Sequence, residues 1–192
     1  MSILLLHLTG AARSVFSRRH ALAGGPQVSG AFGGRAPRDS LEITAMPVAW
    51  TFEHSVMVRA TREAAWAYWS DVANWSVVDP AVEWARLDGP FEAGRHGQTK
   101  PAGAPATDWT LVAVEAGRRA VIEIAAPVLV VRFTWTLNDG EGGGARLTQR
   151  LELEGDESGQ YVGAMKGLAD NIPLGMQKLV AAIERVAGGP PN

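Results

Sequence analysis

Residues 160–187 read QYVGAMKGLADNIPLGMQKLVAAIERVA. Tyr161, Met165, Leu168, Ile172, Met176, Leu179, Ile183 and Val186 recur every three or four residues. At 3.6 residues per turn they form one apolar stripe of a helix. Lys166, Asp170, Lys178 and Arg185 occupy the opposite face. Pro173 lacks an N–H and crowds the carbonyl four residues back, which predicts a kink at residues 169–172. Gly175 loosens the same place, and Gly188, Gly189 and Pro190 stop the helix. A helix of about 28 residues is roughly 42 Å long and needs a broad surface to pack on. The proline has two readings, an incidental feature of a core helix or the hinge of a gate.

The stretch upstream supplies that surface. Trp50, Phe52, His54, Val56 and Val58 alternate with Thr51, Glu53, Ser55 and Met57, so residues 50–58 are a strand. Thr61 is a good N-cap and Glu63 suits a first turn, opening a helix over residues 64–72. Its inward side holds Ala65, Trp66, Trp69 and Val72. Residues 74–80 form a loop or a short second helix ended by Pro80. Six more strands follow at residues 82–87, 96–100, 108–115, 119–126, 128–138 and 145–154, with Pro127 as a break and 139–144 as a glycine-rich turn. Short turns between successive strands imply an antiparallel sheet. The fold class is therefore α+β, a seven-stranded antiparallel sheet whose one face the C-terminal helix covers.

Composition narrows the function. The chain of 192 residues is 46% hydrophobic and has no cysteine. That removes disulfides, thiolate catalysis and cysteine-ligated zinc, and fits a cytoplasmic setting. Residues 1–45 carry five Arg against Asp39 and Glu42, while the other thirteen basic and eighteen acidic residues leave residues 46–192 five charges negative. An acidic domain without a basic run is a poor nucleic-acid binder. No apolar stretch approaches the roughly 20 residues that span a bilayer. Residues 1–45 read as lying outside the fold: a start wrongly placed upstream of Met46, a disordered tail, or an Arg-rich targeting leader. The domain then spans 46–188 and a tail 189–192.

Four stretches together resemble the START-like (SRPBCC) superfamily, and within it the bacterial polyketide cyclase/dehydrase and lipid-transport-like proteins. Residues 56–61 (VMVRAT) with Trp66 resemble the family's first strand and helix start. Residues 70–75 (SDVANW) with Asp79 and Pro80 resemble its aspartate and asparagine–tryptophan signature. Phe91, Gly94 and Gly97 resemble the turn before its third strand, and Trp109 with residues 115–119 (EAGRR) resembles its central hairpin. Val77 and Val78 stand where many members carry a second aromatic, a departure from the pattern. The resemblance implies a helix-grip fold, a curved sheet wrapped on a long kinked C-terminal helix with an elongated apolar cavity between them.

Catalytic motifs are absent from the sequence: there is no His-Glu-x-x-His, no Walker loop and no nucleophile elbow. Gly140, Gly142 and Ala145 mimic a dinucleotide loop but precede a strand. His54 and His96 are the domain's only histidines and have no cysteine partner, so neither a metal nor a cofactor is expected. Strand parity selects cavity walls: Leu129, Val131, Phe133, Trp135 and Leu137 point inward, as do Ile122 and Ile124. His54 shares the face of Val56 and Val58, Gln149 lies between Leu147 and Leu151, and His96 pairs with Gln98 on one face. Trp75, Trp84 and Trp109 are candidate aromatic walls, and Met165, Leu168, Ile172 and Met176 come from the helix. A mainly apolar pocket with a few polar groups suits a hydrophobic small molecule: a lipid, polyketide, isoprenoid or aromatic metabolite. His54, His96, Gln98 and Gln149 would orient its polar end. A second reading is a polyketide cyclase or dehydratase in which His54 moves a proton. A third is a protein-interaction module. A monomer or homodimer is expected.

Overall fold

The computed structural model describes residues 48–126 and 129–188. The leader at residues 1–45, Pro127, Val128 and the tail at 189–192 therefore lie outside the described residues.

Strand β1 (Val48–Val58) is followed by helices α1 (Arg62–Ser70) and α2 (Asn74–Val78). Strands β2 (Val82–Leu87), β3 (His96–Pro101), β4 (Thr107–Glu115), β5 (Arg119–Ala126), β6 (Leu129–Asp139) and β7 (Ala145–Glu154) follow. A 3-10 turn (Ser158–Tyr161) leads into α3 (Val162–Ala169) and α4 (Ile172–Ala187). The seven strands form one antiparallel sheet in the order β1-β7-β6-β5-β4-β3-β2. The first two strands in sequence thus stand at opposite edges, and α1 and α2 span the sheet between them. Helix α1 starts where the sequence places it: Thr61, in an extended conformation, accepts a hydrogen bond from the Ala64 N–H at 3.2 Å.

Strand parity holds along the middle of the sheet. Leu129, Val131, Phe133, Trp135 and Leu137 are buried, as are Leu147, Gln149, Leu151, Ile122 and Ile124. The opposite face carries ion pairs within and between neighbouring strands. Arg132 pairs with Glu123 and Glu154, and Arg150 pairs with Glu152 and Glu53. One face is therefore core and the other charged, which fixes register, because a one-residue slip would exchange the two.

The C-terminal helix departs from expectation in two ways. It is two helices, broken at Asp170 and Asn171, where the kink is predicted. Pro173 lies in the first turn of α4, where a missing N–H costs little. The Asn171 N–H turns to the carbonyl of Leu168, three residues back, and the Asn171 side chain donates to the Gly167 carbonyl at 2.9 Å. The apolar stripe also ends before Val186, which is exposed, whereas Leu179 and Ile183 are buried. Nor does this helix cover the sheet alone: Ala65 and Trp69 of α1 and Trp75 of α2 belong to the same core.

Candidate ligand site between the sheet and the helices

The aromatic side chains meet under α1. The rings of Trp69 and Trp135 lie 5.1 Å apart, Trp69 and Phe91 5.3 Å, Trp66 and Trp69 5.6 Å, and Trp75 and Trp109 5.4 Å. Local sequence explains the arrangement. Trp66 and Trp69 are three residues apart, so one helix face carries both. The Trp109 indole lies over Gly97, where a Cβ would come within 2.2 Å of the ring, and its Nε1–H donates to Thr99 Oγ1 at 3.0 Å. The asparagine–tryptophan signature closes the end of α1: Asn74 Nδ2 donates to the Tyr68 carbonyl at 2.8 Å and Trp75 Nε1 to the Trp69 carbonyl at 2.9 Å. These are two of the carbonyls that a helix end leaves unpaired. Trp75 thus works first as a cap, although its ring faces the interior.

The predicted lining residues divide into three groups. Trp75, Trp109, Phe133, Trp135, Gln149, Met165, Ile172 and Met176 come together in the interior, each at most 2% exposed. Leu168 is half-buried on α3, and His54 is half-buried on the inward face of β1. The third group is a correction: His96 and Gln98 are exposed on the other face of the sheet, with Arg86 and Asp108, and line a surface cleft there. Gln98 donates to Asp108 at 2.7 Å, and His96 Nδ1 lies 3.1 Å from Thr110 Oγ1. Trp84 joins them, with the Arg86 guanidinium 4.4 Å above its ring. The reason is parity: Gly97 and Thr99 take the inward positions of β3, and the irregular pairing between Val82 and Trp84 turns the tryptophan outward.

The interior itself is closed at its centre. Phe133, Trp135 and Met176 are 0% exposed, so no water-sized space reaches them. The inward face of β1 differs. Trp50, Phe52, His54 and Val56 stay half-buried while the neighbouring inward residues of β7 are buried, leaving an apolar flank at the sheet edge. Trp50 and Phe52 stack there at 6.2 Å. Trp69, Phe91, Trp50 and Phe52 join the aromatic surface although they are not among the lining residues the sequence selects. Trp69 carried a signal in its spacing from Trp66; Phe91 lies in a turn and carried none beyond the resemblance.

The polar row across this surface is His54 on β1, Gln149 opposite it on β7, and Trp135 opposite Gln149 on β6. Among the described residues His54 makes no side-chain hydrogen bond, and no cluster of three His, Asp or Glu could hold a metal ion. Among the described residues no helix is long and apolar enough to cross a membrane.

A seven-stranded antiparallel sheet gripping C-terminal helices, with an aromatic interior, defines a helix-grip protein of the START-like superfamily. The chain belongs to the family described as polyketide cyclase / dehydrase and lipid transport, whose model matches residues 49–184. Solved structures agree on the fold. A truncated norcoclaurine synthase from Thalictrum flavum superposes with a TM-score of 0.59 at 11% identity, covering 77% of this chain and 98% of that one. The Zhui aromatase/cyclase from a Streptomyces species gives 0.58 at 14% identity, covering 73% and 99%. Ara h 8.0201 gives 0.57 at 11% identity, covering 70% and 97%. A search of curated protein sequences returns no match.

Proposed function

We propose that this protein binds a hydrophobic small molecule between its sheet and its C-terminal helices. The supporting observation is the half-buried apolar flank of β1, Trp50, Phe52 and Val56, beside an interior walled by aromatic residues. The ligand enters along this flank, and α3 moves to make room. Burial of apolar ligand surface at about 25 cal/mol per Å2 supplies the affinity. The test is native mass spectrometry of purified protein with extraction of whatever co-purifies, together with titration of an environment-sensitive apolar dye. Saturable dye binding that polyaromatics compete away is expected. A dye that stays unbound, with no co-purifying molecule, overturns the reading.

A second reading rests on His54, the one imidazole on the inward face, half-buried and without a hydrogen-bond partner among the described residues. In a cyclase-type enzyme the interior would fold a poly-β-keto chain and His54 would move a proton. General acid–base catalysis by one residue contributes about 100- to 10,000-fold. His54→Gln would then lower turnover at least about tenfold while ligand affinity changes little. Equal turnover of variant and parent removes His54 from the chemistry.

A further inference from the structure

Arg62 Nε aside, whose guanidinium pairs with Glu63 and Asp139, three buried N–H groups among the described residues lack an acceptor: Trp69 Nε1, Trp135 Nε1 and Gln149 Nε2. Their residues are 0%, 0% and 1% exposed. This is not a general property of the core, because the fold supplies acceptors for the other two buried indoles, Trp75 and Trp109. An unpaired buried donor is costly and calls for an explanation. The three are also neighbours: the Trp69 and Trp135 rings are 5.1 Å apart, and Gln149 stands directly across from Trp135 in the β6–β7 ladder. Indole N–H groups only donate. What would satisfy them is an acceptor atom brought from outside.

We propose that Trp69, Trp135 and Gln149 are the polar end of the interior ligand site and donate to a neutral acceptor on the ligand, a carbonyl or ether oxygen on an otherwise apolar ring system. This rests on the binding reading above. The neutral class follows from the surroundings. The inward sheet residues next to Trp135 and Gln149 are Phe133, Leu137, Leu147, Leu151 and Ala120, together with half-buried His54, and the rings around Trp69 are those of Trp66, Phe91, Trp75 and Trp135; none of these is Lys or Arg. A buried carboxylate needs a paired charge, so a fatty acid headgroup is poorly served there. The flat faces of Trp69, Trp135 and Phe91 favour a planar partner. The donors are reached when the side chains over them part.

Fluorenone and fluorene test this, because they share a ring skeleton and differ by one carbonyl oxygen. Each is titrated into the 15N-labelled full chain while the seven indole N–H resonances are followed. Fluorenone is expected to bind at least tenfold tighter than fluorene and to shift the Trp69 and Trp135 resonances downfield, moving those of Trp75 and Trp109 less. Trp135→Phe and, separately, Gln149→Leu are expected to reduce the preference to about twofold or less; the resonance shifts in the unmodified chain stand even if one variant folds poorly. Equal affinities with no shift at Trp69 or Trp135 overturn the donor assignment and leave the binding reading intact. Tighter binding of decanoate than of fluorenone overturns the neutral class. Failure of all three compounds to bind overturns both readings.

Discussion

Gly97 shows how one missing side chain sets the interior wall. The Trp109 ring occupies the space a Cβ would take, at 2.2 Å. Gly97→Ala forces the indole off that position and strains its bond to Thr99. Overpacking of this kind costs about 1–3 kcal/mol, so the urea midpoint is expected to fall, and an unchanged midpoint would count against the contact. Only the family resemblance marked Gly97 in the sequence; what it accommodates depends on Trp109 lying across the ladder, a non-local fact. The same limit explains His96 and Gln98. Their shared face follows from alternation, but which face is inward depends on the ladder partners and the bulge near Trp84. His54 and Gln149 were legible because Val58, Leu147 and Leu151 fix the inward side of their strands.

At the scale of elements, α3 is the weakly held piece. Neither α3 nor α4 has a side-chain N-cap, and Gly163 and Gly167 face open space, where an added Cβ would meet nothing within 4 Å. Glycine inside a helix costs roughly 0.5–1 kcal/mol relative to alanine. Amides of Val162–Ala169 are therefore expected to exchange faster than those of residues 178–184 in the free protein, and to slow when a hydrophobic ligand is added. Gly167→Ala should slow α3 exchange without ligand; uniform protection along both helices would show that the break is static. The last helix is anchored differently. Glu184 accepts from the Arg59 backbone N–H at 2.8 Å and pairs with its guanidinium at 3.0 Å. Hydrogen bonds from the Arg59 side chain and backbone, with the guanidinium charge, hold the Glu184 carboxyl below the usual range. A depressed carboxylate stabilises the fold above its unfolded pKa, about 4.3, and that stability is lost as pH falls through the folded value. Glu184→Gln is expected to lower the melting temperature at pH 7 and to lower it progressively less as the pH falls; an equal drop at every pH would assign the effect to packing. The kink was legible because a proline forbids one bond. The capping by Asn171 was not, since it depends on where the chain turns.

For the whole molecule, the family match begins at residue 49 and β1 at Val48. A chain starting at Met46 is expected to melt within about 5 °C of the full one, and a larger drop, on the order of 1 kcal/mol or more, would place upstream residues in the fold. Element order and sheet class were readable because short turns leave antiparallel neighbours few alternatives; the meeting of β1 with β7 was not, since their pairing spans the chain. The tryptophans have one more consequence. Trp66, Trp69, Trp135, Trp75 and Trp109 are linked ring to ring by steps of at most 6.4 Å. At such spacing, electronic excitation passes between indoles faster than it is emitted, and their transition dipoles couple. These five of the seven tryptophans should thus behave optically as one chromophore: an exciton couplet in the near-ultraviolet circular dichroism, depolarised emission, and a quencher touching Trp69 alone darkening the whole chain of rings.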